Sequence, residues 1–323
     1  MGSYSVKCVE VAETETGVEL CHAAILPVGQ EADIKKVLES LELSSKPRIR
    51  VALSGPSVII RRISMPLLNS RELQTAIRFE AESHIPFSID DCVLDYQILR
   101  QDAAKKEMSI MLAAAKRDLV ESRYKLLSGI GVYPEIVDLD IFCLVNAFEM
   151  LNSVTPEKNY GLLNIGHKIS SFAIIHDGVP ALVREISLGG IQVTKVLAET
   201  KSISETQADE FKIKKPSGED ASLKAAVEKG FESLSEEISN SIDYVENEIK
   251  EELKMVYVSG GGALSPGTLE VLAEEVGRPV SYWDNTKKMR LAAKADQQFI
   301  KEHSAELTVA LGMALRGPGV VKK

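Results

Sequence analysis

One stretch of the chain indicates its fold: Gly161-Leu-Leu-Asn-Ile-Gly-His-Lys-Ile-Ser-Ser-Phe-Ala-Ile-Ile-His-Asp-Gly-Val-Pro-Ala-Leu-Val-Arg-Glu-Ile-Ser-Leu-Gly-Gly190. Glycine turns separate the apolar runs Leu162 to Ile165, Ser171 to Ile175 and Ala181 to Leu188, a pattern that predicts three consecutive strands. At the Gly166 turn, a backbone free to adopt positive φ can direct N–H groups towards an anion such as phosphate. Most glycine turns bind nothing, so a purely structural turn is the alternative interpretation.

A similar turn begins the chain. The residues Gly2-Ser3-Tyr4-Ser5 lead into an alternating run over Tyr4 to Val11, and a second strand over Val18 to Val28 completes a hairpin. Two glycine-and-serine hairpins in one chain suggest an internal duplication. Only Met1 precedes Gly2, so either the start is trimmed or the first turn has no function.

Composition limits the classes of protein to which the chain can belong. Its 323 residues suffice for two domains, and 45% of them are hydrophobic, as in ordinary soluble proteins. With 38 basic and 47 acidic residues the net charge is −9, which argues against nucleic acid or an anionic membrane as the main partner. No run reaches the roughly 18 apolar residues of a membrane span and no signal peptide is recognisable, so a cytoplasmic location is predicted.

The four cysteines do not indicate a zinc site. Cys8, Cys21, Cys92 and Cys143 lie far apart within apolar runs, without a CxxC pair or a histidine cluster. We therefore expect buried, reduced thiols.

The region between the two hairpins is predicted to form a compact βαββα unit. Its elements are strand Val58 to Ile63, a helix through Leu73 to Ala81, strands Cys92 to Leu99 and Met108 to Ala115, and helix Leu119 to Leu127. Asn69 and Glu72 predict a capping box for the first of these helices. A helix over 32–43 and strand Arg48 to Leu53 precede the unit, and strand Ile136 to Leu139 with a helix over 141–151 follows it.

The second half continues with helices around one glycine-ended strand. Residues 193–215 are predicted to be helical, and apolar steps from Phe231 to Leu253 predict one long amphipathic helix. Strand Met255 to Ser259 leads through three glycines to a helix over Thr268 to Val276, an order in which the backbone can approach a flat ligand. A plain turn is an equally good interpretation. The last predicted helix covers Ala305 to Leu315.

Several motifs together resemble one family. They are Leu53-Ser-Gly-Pro-Ser-Val-Ile-Ile-Arg-Arg-Ile-Ser-Met-Pro66, Arg78-Phe-Glu-Ala-Glu-Ser-His-Ile-Pro-Phe87, Val93-Leu-Asp-Tyr96, Asn164-Ile-Gly166, Ser187-Leu-Gly-Gly190, Val258-Ser-Gly-Gly-Gly262 and Ala310-Leu-Gly-Met-Ala-Leu-Arg316. From Gly2 to about Gly317 the chain resembles the type IV pilus assembly protein PilM family, which is similar to the division protein FtsA within the actin-like ATPase superfamily.

The resemblance implies an α/β fold in which two duplicated halves close over ATP, with an FtsA-like inserted βαββα module. The implied divisions are the first half (1–57, returning at 132–154), the partner-binding module (58–131), and the second half with its phosphate hairpin (155–192), helical subdomain (193–254), and adenosine loop with C-terminal helix (255–323). The first central strand is predicted to be missing, which would leave buried ladder groups unpaired at roughly 1 to 3 kcal/mol each. We therefore expect that the chain starts late relative to the functional protein.

The resemblance also implies a site for the cofactors ATP and Mg²⁺. The residues carried over by motif are Gly2, Ser3, Ser5 and Lys7 in the first phosphate hairpin, Gly166, His167 and Ser170 in the second, the following Gly189 and Gly190, and Ser259, Gly260, Gly261 and Gly262 in the adenosine loop. Asp209 and Lys212 match residues that flank ribose and adenine. Asp138 and Asp140 are the catalytic candidates, although a strand-end turn and a helix cap explain them equally well.

Asn164 departs from the superfamily pattern. It stands where an aspartate usually holds the water shell of magnesium. An amide can hydrogen-bond a metal-bound water, but it supplies no charge and cannot act as a base. Contact with the metal through water, and at most slow hydrolysis of ATP, are therefore expected.

The implied function is a cytoplasmic scaffold of the inner-membrane platform of a type IV pilus or a related secretion system. The expected partner is the cytoplasmic N-terminal peptide of a PilN-like membrane protein, so the membrane is reached only through that partner. Segments Val58 to Ile63 and His84 to Ile89 are the candidate groove, with burial in the module core as the alternative. Self-association is left open.

Three other functions are kept as alternatives. An FtsA-like filament-forming protein would carry an apolar C-terminal membrane helix, which Gly317-Pro-Gly-Val-Val-Lys-Lys323 could not form. A small-molecule kinase would need a catalytic carboxylate, and Asn164 argues against one. The last alternative is an interaction platform that has kept the fold without the nucleotide.

Overall fold

The computed structural model describes residues 2–15, 17–27, 34–36, 38, 47–151, 159–213, 220–286 and 289–316. Its strands are β1 (Ser5–Thr14), β2 (Gly17–Pro27), β3 (Arg50–Leu53), β4 (Val58–Pro66), β5 (Cys92–Asp102), β6 (Glu107–Lys116), β7 (Ile136–Leu139), β8 (Tyr160–Ile165), β9 (Ser170–His176), β10 (Val179–Ile186), β11 (Met255–Ser259), β12 (Val280–Tyr282) and β13 (Arg290–Leu291). The helices are α1 (Ser70–His84), α2 (Arg117–Gly129), α3 (Asp140–Leu151), α4 (Gly190–Lys201), α5 (Glu205–Ile213), α6 (Ala221–Ile249), α7 (Thr268–Val276), α8 (Gln297–Glu302) and α9 (Ser304–Leu315).

Some expectations fall on other parts of the chain. The break at 216–218 and the polar tail at 317–323 lie outside the described residues, as does most of the predicted helix over 32–43. Within the described ranges, no helix is long and apolar enough to cross a bilayer.

The second half is built on one five-stranded sheet of order β10-β9-β8-β11-β12. Strand β8 is central: it pairs antiparallel with β9 and parallel with β11. Five of its six residues are buried, because helices cover a sheet of this kind on both faces.

The first half repeats this order incompletely. The hairpin β1-β2 is extended by β13, and β3 pairs parallel with β7 in a separate two-stranded sheet. In the part of the chain that the structure describes, no strand lies between β1 and β3, where β8 lies between β9 and β11. The duplicated halves and the gap in the first sheet agree with the prediction.

The inserted module has the predicted βαββα order and its own core. Its antiparallel sheet has the order β4-β6-β5. Helix α1 begins with the predicted capping box, in which the Asn69 side chain accepts the N–H of Glu72 and the Glu72 carboxylate accepts the N–H of Asn69. The apolar face of α1 packs on this sheet through Leu73, Ile77 and Ala81.

The single helical segment predicted over 193–215 is wrong. Two helices, α4 and α5, occupy the described part of it, and Ser202 ends the first in the left-handed conformation with φ of 54°. The long amphipathic helix is confirmed as α6, which Asp220 caps. Its buried stripe, from Leu223 to Val245, packs in the core of the second half. The short elements β12, β13 and α8 have no clear periodicity and were not predicted.

Helix α9 contacts both halves. It packs on α3 and also contacts β1, β3 and β11. Gly312 lets α9 approach α3 closely, because a Cβ at this position would lie only 1.8 Å from the carbonyl oxygen of Cys143. The four cysteines are free thiols, as predicted, and three of them are buried.

Candidate functional site

The turns that precede β1 and β9 share one backbone geometry. The N–H groups of Gly2 and Gly166 each donate to the carbonyl three residues ahead, at 3.0 Å in both turns. The turns also face each other, since the ring centroids of Tyr4 and His167 lie 5.1 Å apart. The fold therefore brings together the two glycine turns that the sequence analysis singled out.

The rings at this contact have shifted ionisation. A hydrogen bond to the Asp209 carboxylate, reinforced by burial, raises the pKa of Tyr4 to about 12. Burial and the charge of Lys212 lower the pKa of His167, so its imidazole is neutral at pH 7. Tyr4 thus reaches from the first half to two side chains of the second.

Backbone packing explains four of the predicted glycines. A Cβ on Gly189 or Gly262 would lie 2.6 or 2.4 Å from the carbonyl oxygen of Gly166, and real Cβ atoms almost never come within 3.0 Å of another atom. A Cβ on Gly190 would lie 2.9 Å from the Cα of Gly262, and one on Gly260 would lie 2.3 Å from a β8 carbonyl oxygen. The adenosine loop and the start of α4 therefore pack directly on the second turn.

Gly261 differs from its neighbours. A Cβ there would meet only the flexible Glu306 side chain, with Oε1 at 3.3 Å. Gly261 also lines a cavity that lies between the two turns. Of the three consecutive glycines, Gly262 packs against backbone, whereas Gly261 faces only the flexible Glu306 side chain.

Lys212 holds a polar cluster behind the second turn. Its Nζ donates to the Thr194 hydroxyl at 2.8 Å and to the Gly190 carbonyl at 3.3 Å. It also forms a 2.9 Å ion pair with Asp209. Burial alone would raise the pKa of Asp209, but the hydrogen bond and charge of Lys212 outweigh it and lower that pKa. The cluster fixes the first turn of α4 against α5.

A cavity of about 710 Å³ lies between the two turns and continues along β1 and β3. The predicted residues that line it are Gly2, Ser3, Lys7, Asn164, Gly166, His167, Gly260, Gly261 and the catalytic candidate Asp140. Burial lowers the pKa of Lys7, although the negative charges of Glu306 and Asp140 oppose this shift. The cavity therefore contains a partly desolvated ammonium group beside backbone turns.

The remaining predicted residues do not line this cavity. They are Ser5, Ser170, Gly189, Gly190, Asp209, Lys212, Ser259, Gly262 and Asp138. Ser170 donates to the Leu188 carbonyl at 2.7 Å, and Ser259 donates to Asn164 Oδ1 at 3.2 Å. Asp138 forms an ion pair with Arg316 and accepts a backbone N–H at 2.8 Å, so its carboxylate is engaged within the protein.

Sequence reasoning missed several residues of the cavity. Ser171 lines it five residues after Gly166, as Lys7 does five residues after Gly2, so the duplication itself was an available signal. Glu306 and Arg123 also line it, but they come from helices distant in the sequence and no local motif marks them.

The described residues contain no group of three or more His, Cys, Asp or Glu side chains placed to hold a metal ion. Asp140 and Asn164 nevertheless both line the cavity. Magnesium commonly takes one or two carboxylates, with waters and phosphate oxygens as its other ligands. This pair fits an ion that arrives with a nucleotide better than a permanent protein-held ion.

A second cavity, of about 250 Å³, lies along the edge of β4 that is not paired with β6. Consecutive residues 58–61 line one side, and β10 lines the other. Glu185 of β10 accepts the N–H of Gly55 at 2.6 Å, while its second carboxylate oxygen is buried without a partner. Burial raises the pKa of Glu185 to about 8, so the carboxyl is mostly protonated at neutral pH.

Only one of the two predicted groove segments lies at this second cavity. Residues 58–61 of the segment Val58 to Ile63 border it, whereas Ile63, and Ile85 and Ile89 of the segment His84 to Ile89, are buried in the module core. For those three isoleucines, the structure shows the alternative interpretation, burial in the module core.

Two α/β halves with a repeated strand order, facing each other through matched glycine turns, define an actin-like ATPase fold. The chain belongs to the family described as type IV pilus assembly protein PilM, whose sequence model matches residues 1–318.

Similar solved structures include a chain of the PilM-PilN type IV pilus biogenesis complex, with a TM-score of 0.86 and 25% identity over 98% of this chain and 96% of that chain. The ethanolamine utilization protein EutJ from Carboxydothermus hydrogenoformans is 19% identical with a TM-score of 0.40, over 62% of this chain and 61% of that chain. MreB 5 of Spiroplasma citri bound to AMPPNP is 13% identical with a TM-score of 0.42, over 61% and 63%. The assignment does not depend on the last two.

Proposed function

We propose that the chain is a nucleotide-binding scaffold of a type IV pilus assembly platform and holds ATP between its two halves. The observation that carries the proposal is the pair of matched glycine turns facing each other beside Lys7. Backbone turns of this kind and a partly buried ammonium group suit phosphate oxygens. A cavity of about 710 Å³ is also within the usual range of small-molecule sites, roughly 300 to 1,000 Å³.

In this proposal the predicted residues have two roles. Gly2, Ser3, Lys7 and Gly166 contact the phosphates, and Gly260 with Gly261 borders the adenosine. The residues behind the cavity wall act indirectly: the polar cluster of Lys212 positions α4, and the crowded glycines hold the adenosine loop against the second turn. This division follows from which side chains line the cavity.

We propose that hydrolysis of ATP is slow at most. Of the two catalytic candidates we favour Asp140, because it lines the cavity, whereas the Asp138 carboxylate is already paired with Arg316. Asn164 can orient a metal-bound water through its amide but cannot accept the proton of an attacking water. Magnesium, when bound with the nucleotide, would supply charge neutralisation at the phosphates.

Calorimetric titration of the full chain with ATP, with and without magnesium, tests the nucleotide site. We expect micromolar binding, and Lys7→Met should weaken it at least tenfold, or about 1.4 kcal/mol, because it removes the partly buried ammonium group. The matched control is Lys229→Met, since Lys229 is exposed on α6 and does not line the cavity. Equal affinities for the two variants would contradict this site, and no binding by the wild-type chain would favour a nucleotide-free platform.

We further propose that the chain binds the cytoplasmic N-terminal peptide of a PilN-like membrane protein and reaches the inner membrane through it. The similar chain with a TM-score of 0.86 belongs to a PilM-PilN complex, which supports a partner of this kind. The unpaired edge of β4 and its adjoining cavity suit an extended peptide, which can add to a sheet edge through backbone hydrogen bonds.

Hydrogen exchange of the full chain, with and without the partner's N-terminal peptide, tests this surface. Protection should appear at residues 58–61 and at the facing part of β10. The other edge strand of the module, β5, is the internal control, because it also has an unpaired edge and carries exposed Val93 and Ile98. Protection of β5 instead of β4 would move the partner site to the opposite edge.

A further inference from the structure

Tyr4 belongs to the first glycine turn, but its side chain reaches the second half. Its hydroxyl donates to the Asp209 carboxylate of α5, and its ring contacts the His167 imidazole, with ring centroids 5.1 Å apart. Tyr4 and His167 also line the cavity between the two turns. We call Tyr4, His167 and Asp209 the clasp, because these three side chains join the two halves at the glycine turns.

The second turn, which carries His167, is fixed by backbone hydrogen bonds. The Gly166 carbonyl accepts the N–H of Gly190 at 2.9 Å. The His167 carbonyl accepts the N–H of Ile191 at the same distance. Both donors belong to the first turn of α4, so the backbone of His167 moves only together with that helix.

Asp209 is held as well, whereas Tyr4 can move. The Asp209 carboxylate pairs with the Lys212 ammonium group at 2.9 Å and accepts the Thr194 hydroxyl at 3.2 Å, and both contacts remain when the Tyr4 hydroxyl leaves. Tyr4 precedes β1 and is 46% exposed, so its ring can rotate into solvent without opening the core of either half. Tyr4 is therefore the movable part of the clasp.

The closed clasp occupies the space that a phosphate group would need. A phosphate that accepts N–H groups from both turns has to lie between them, where the two rings are in contact. Rings whose centroids are 5.1 Å apart, with a tilt of 44°, touch each other and leave no room for a phosphate between them. The ring of Tyr4 and such a phosphate therefore exclude each other.

We propose that Tyr4 is autoinhibitory: in the nucleotide-free chain its ring closes the space between the two turns, and ATP binds after the ring has rotated out. This role of Tyr4 rests on the proposed nucleotide-binding function, because the ring can exclude only a ligand that binds between the turns. A hydrogen bond to an ionised carboxylate and an aromatic contact both favour the closed form. A ligand that binds only the open form has its apparent affinity reduced by the fraction of chains that are open, which we expect to be at most about one tenth.

The test compares ATP binding by the full chain and by two variants, Tyr4→Phe and Tyr4→Ala, in calorimetric titrations. Phenylalanine keeps the ring and loses the hydrogen bond to Asp209, whereas alanine removes both contacts. The matched control is Tyr124→Ala, because Tyr124 on α2 is similarly exposed, at 44%, and does not line the cavity. The contact itself is checked without nucleotide by NMR of the imidazole resonances, which are few because the chain has 5 histidines.

We expect Tyr4→Ala to bind ATP at least tenfold more tightly than the parent chain, Tyr4→Phe to lie between the two, and Tyr124→Ala to match the parent. Without nucleotide, the His167 resonance should shift in Tyr4→Ala, because the ring current of Tyr4 is lost. An unchanged His167 resonance would overturn the proposal. Equal or weaker ATP binding by Tyr4→Ala, with binding by the parent intact, would also overturn it and would leave the nucleotide site standing. Binding by neither chain would remove the nucleotide site and the role of Tyr4 with it.

Discussion

Gly262→Ala and Gly261→Ala should have very different effects on stability, although the two glycines are adjacent. A Cβ at Gly262 would lie 2.4 Å from the Gly166 carbonyl oxygen, so these atoms must separate by at least 0.6 Å to reach 3.0 Å. The same Cβ would meet Ile165 Cγ2 at 2.8 Å. Both obstacles belong to β8 and its turn, so the adenosine loop has to move off the sheet.

Overpacking of this kind typically costs about 1 to 3 kcal/mol. At Gly261 the new methyl would meet only the end of the Glu306 side chain, which can rotate away, and the expected cost is within about 0.5 kcal/mol. With a urea slope of about 2 to 3 kcal/mol per molar, Gly262→Ala should lower the unfolding midpoint by roughly 0.3 to 1.5 M.

The fluorescence of Trp283, the single tryptophan of the chain, provides the assay. Trp283 is 4% exposed, and its backbone N–H donates to the Val258 carbonyl of β11 at 3.0 Å. It therefore reports on the sheet from which the adenosine loop emerges. Equal unfolding midpoints for the two variants would refute the reasoning that backbone crowding requires glycine at 262.

Three further predictions concern other contacts. Lys212→Met should destabilise the chain by roughly 2 to 3 kcal/mol in urea unfolding, because Asp209 loses its buried charged partner. A smaller loss of stability on the Asp209→Asn background would confirm that Lys212 and Asp209 are coupled, and additive losses would contradict it. Glu185→Gln should flatten the pH dependence of stability, because the folded-state pKa of Glu185, about 8, makes its contribution most favourable below about pH 4.5 and progressively less so up to pH 8. The melting temperatures at pH 5.5 and pH 8.5 should therefore differ less in the variant than in the wild type. An unchanged difference would exclude Glu185 as the cause. Gly312→Ala should destabilise the chain by roughly 1 to 3 kcal/mol, because the added methyl forces α9 off α3. Its control is Gly129→Ala at the end of α2, where a Cβ would meet no atom within 4 Å, so this change should be neutral or stabilise by up to about 1 kcal/mol. Similar shifts in melting temperature for the two variants would show that α9 and α3 can separate freely.

Local patterns were sufficient for most individual elements. The apolar runs around Gly166, the capping box at Asn69 and the stripe of α6 each fix backbone conformation or burial through near neighbours, and the corresponding elements were found. The split between α4 and α5 was missed, because it rests on one left-handed residue, Ser202, which has no distinctive local signal. The short elements β12 and β13 depend on pairing with distant strands, so their own sequence could not indicate them.

By itself, the sequence determined the two glycine turns, the duplication and the βαββα unit between the hairpins, because these features follow from periodicity and turn chemistry. Only the tertiary structure decided which motif residues face the cavity. Gly261 and Gly262 are alike as sequence, but a Cβ on the first would meet only the flexible Glu306 side chain, whereas one on the second would meet a backbone carbonyl almost 100 residues earlier in the chain. Asp138 and Asp140 differ in the same way, because Arg316, at the far end of the chain, pairs with only the first. The physical reason is that a side chain's availability depends on contacts between distant segments, which form only when the halves pack together.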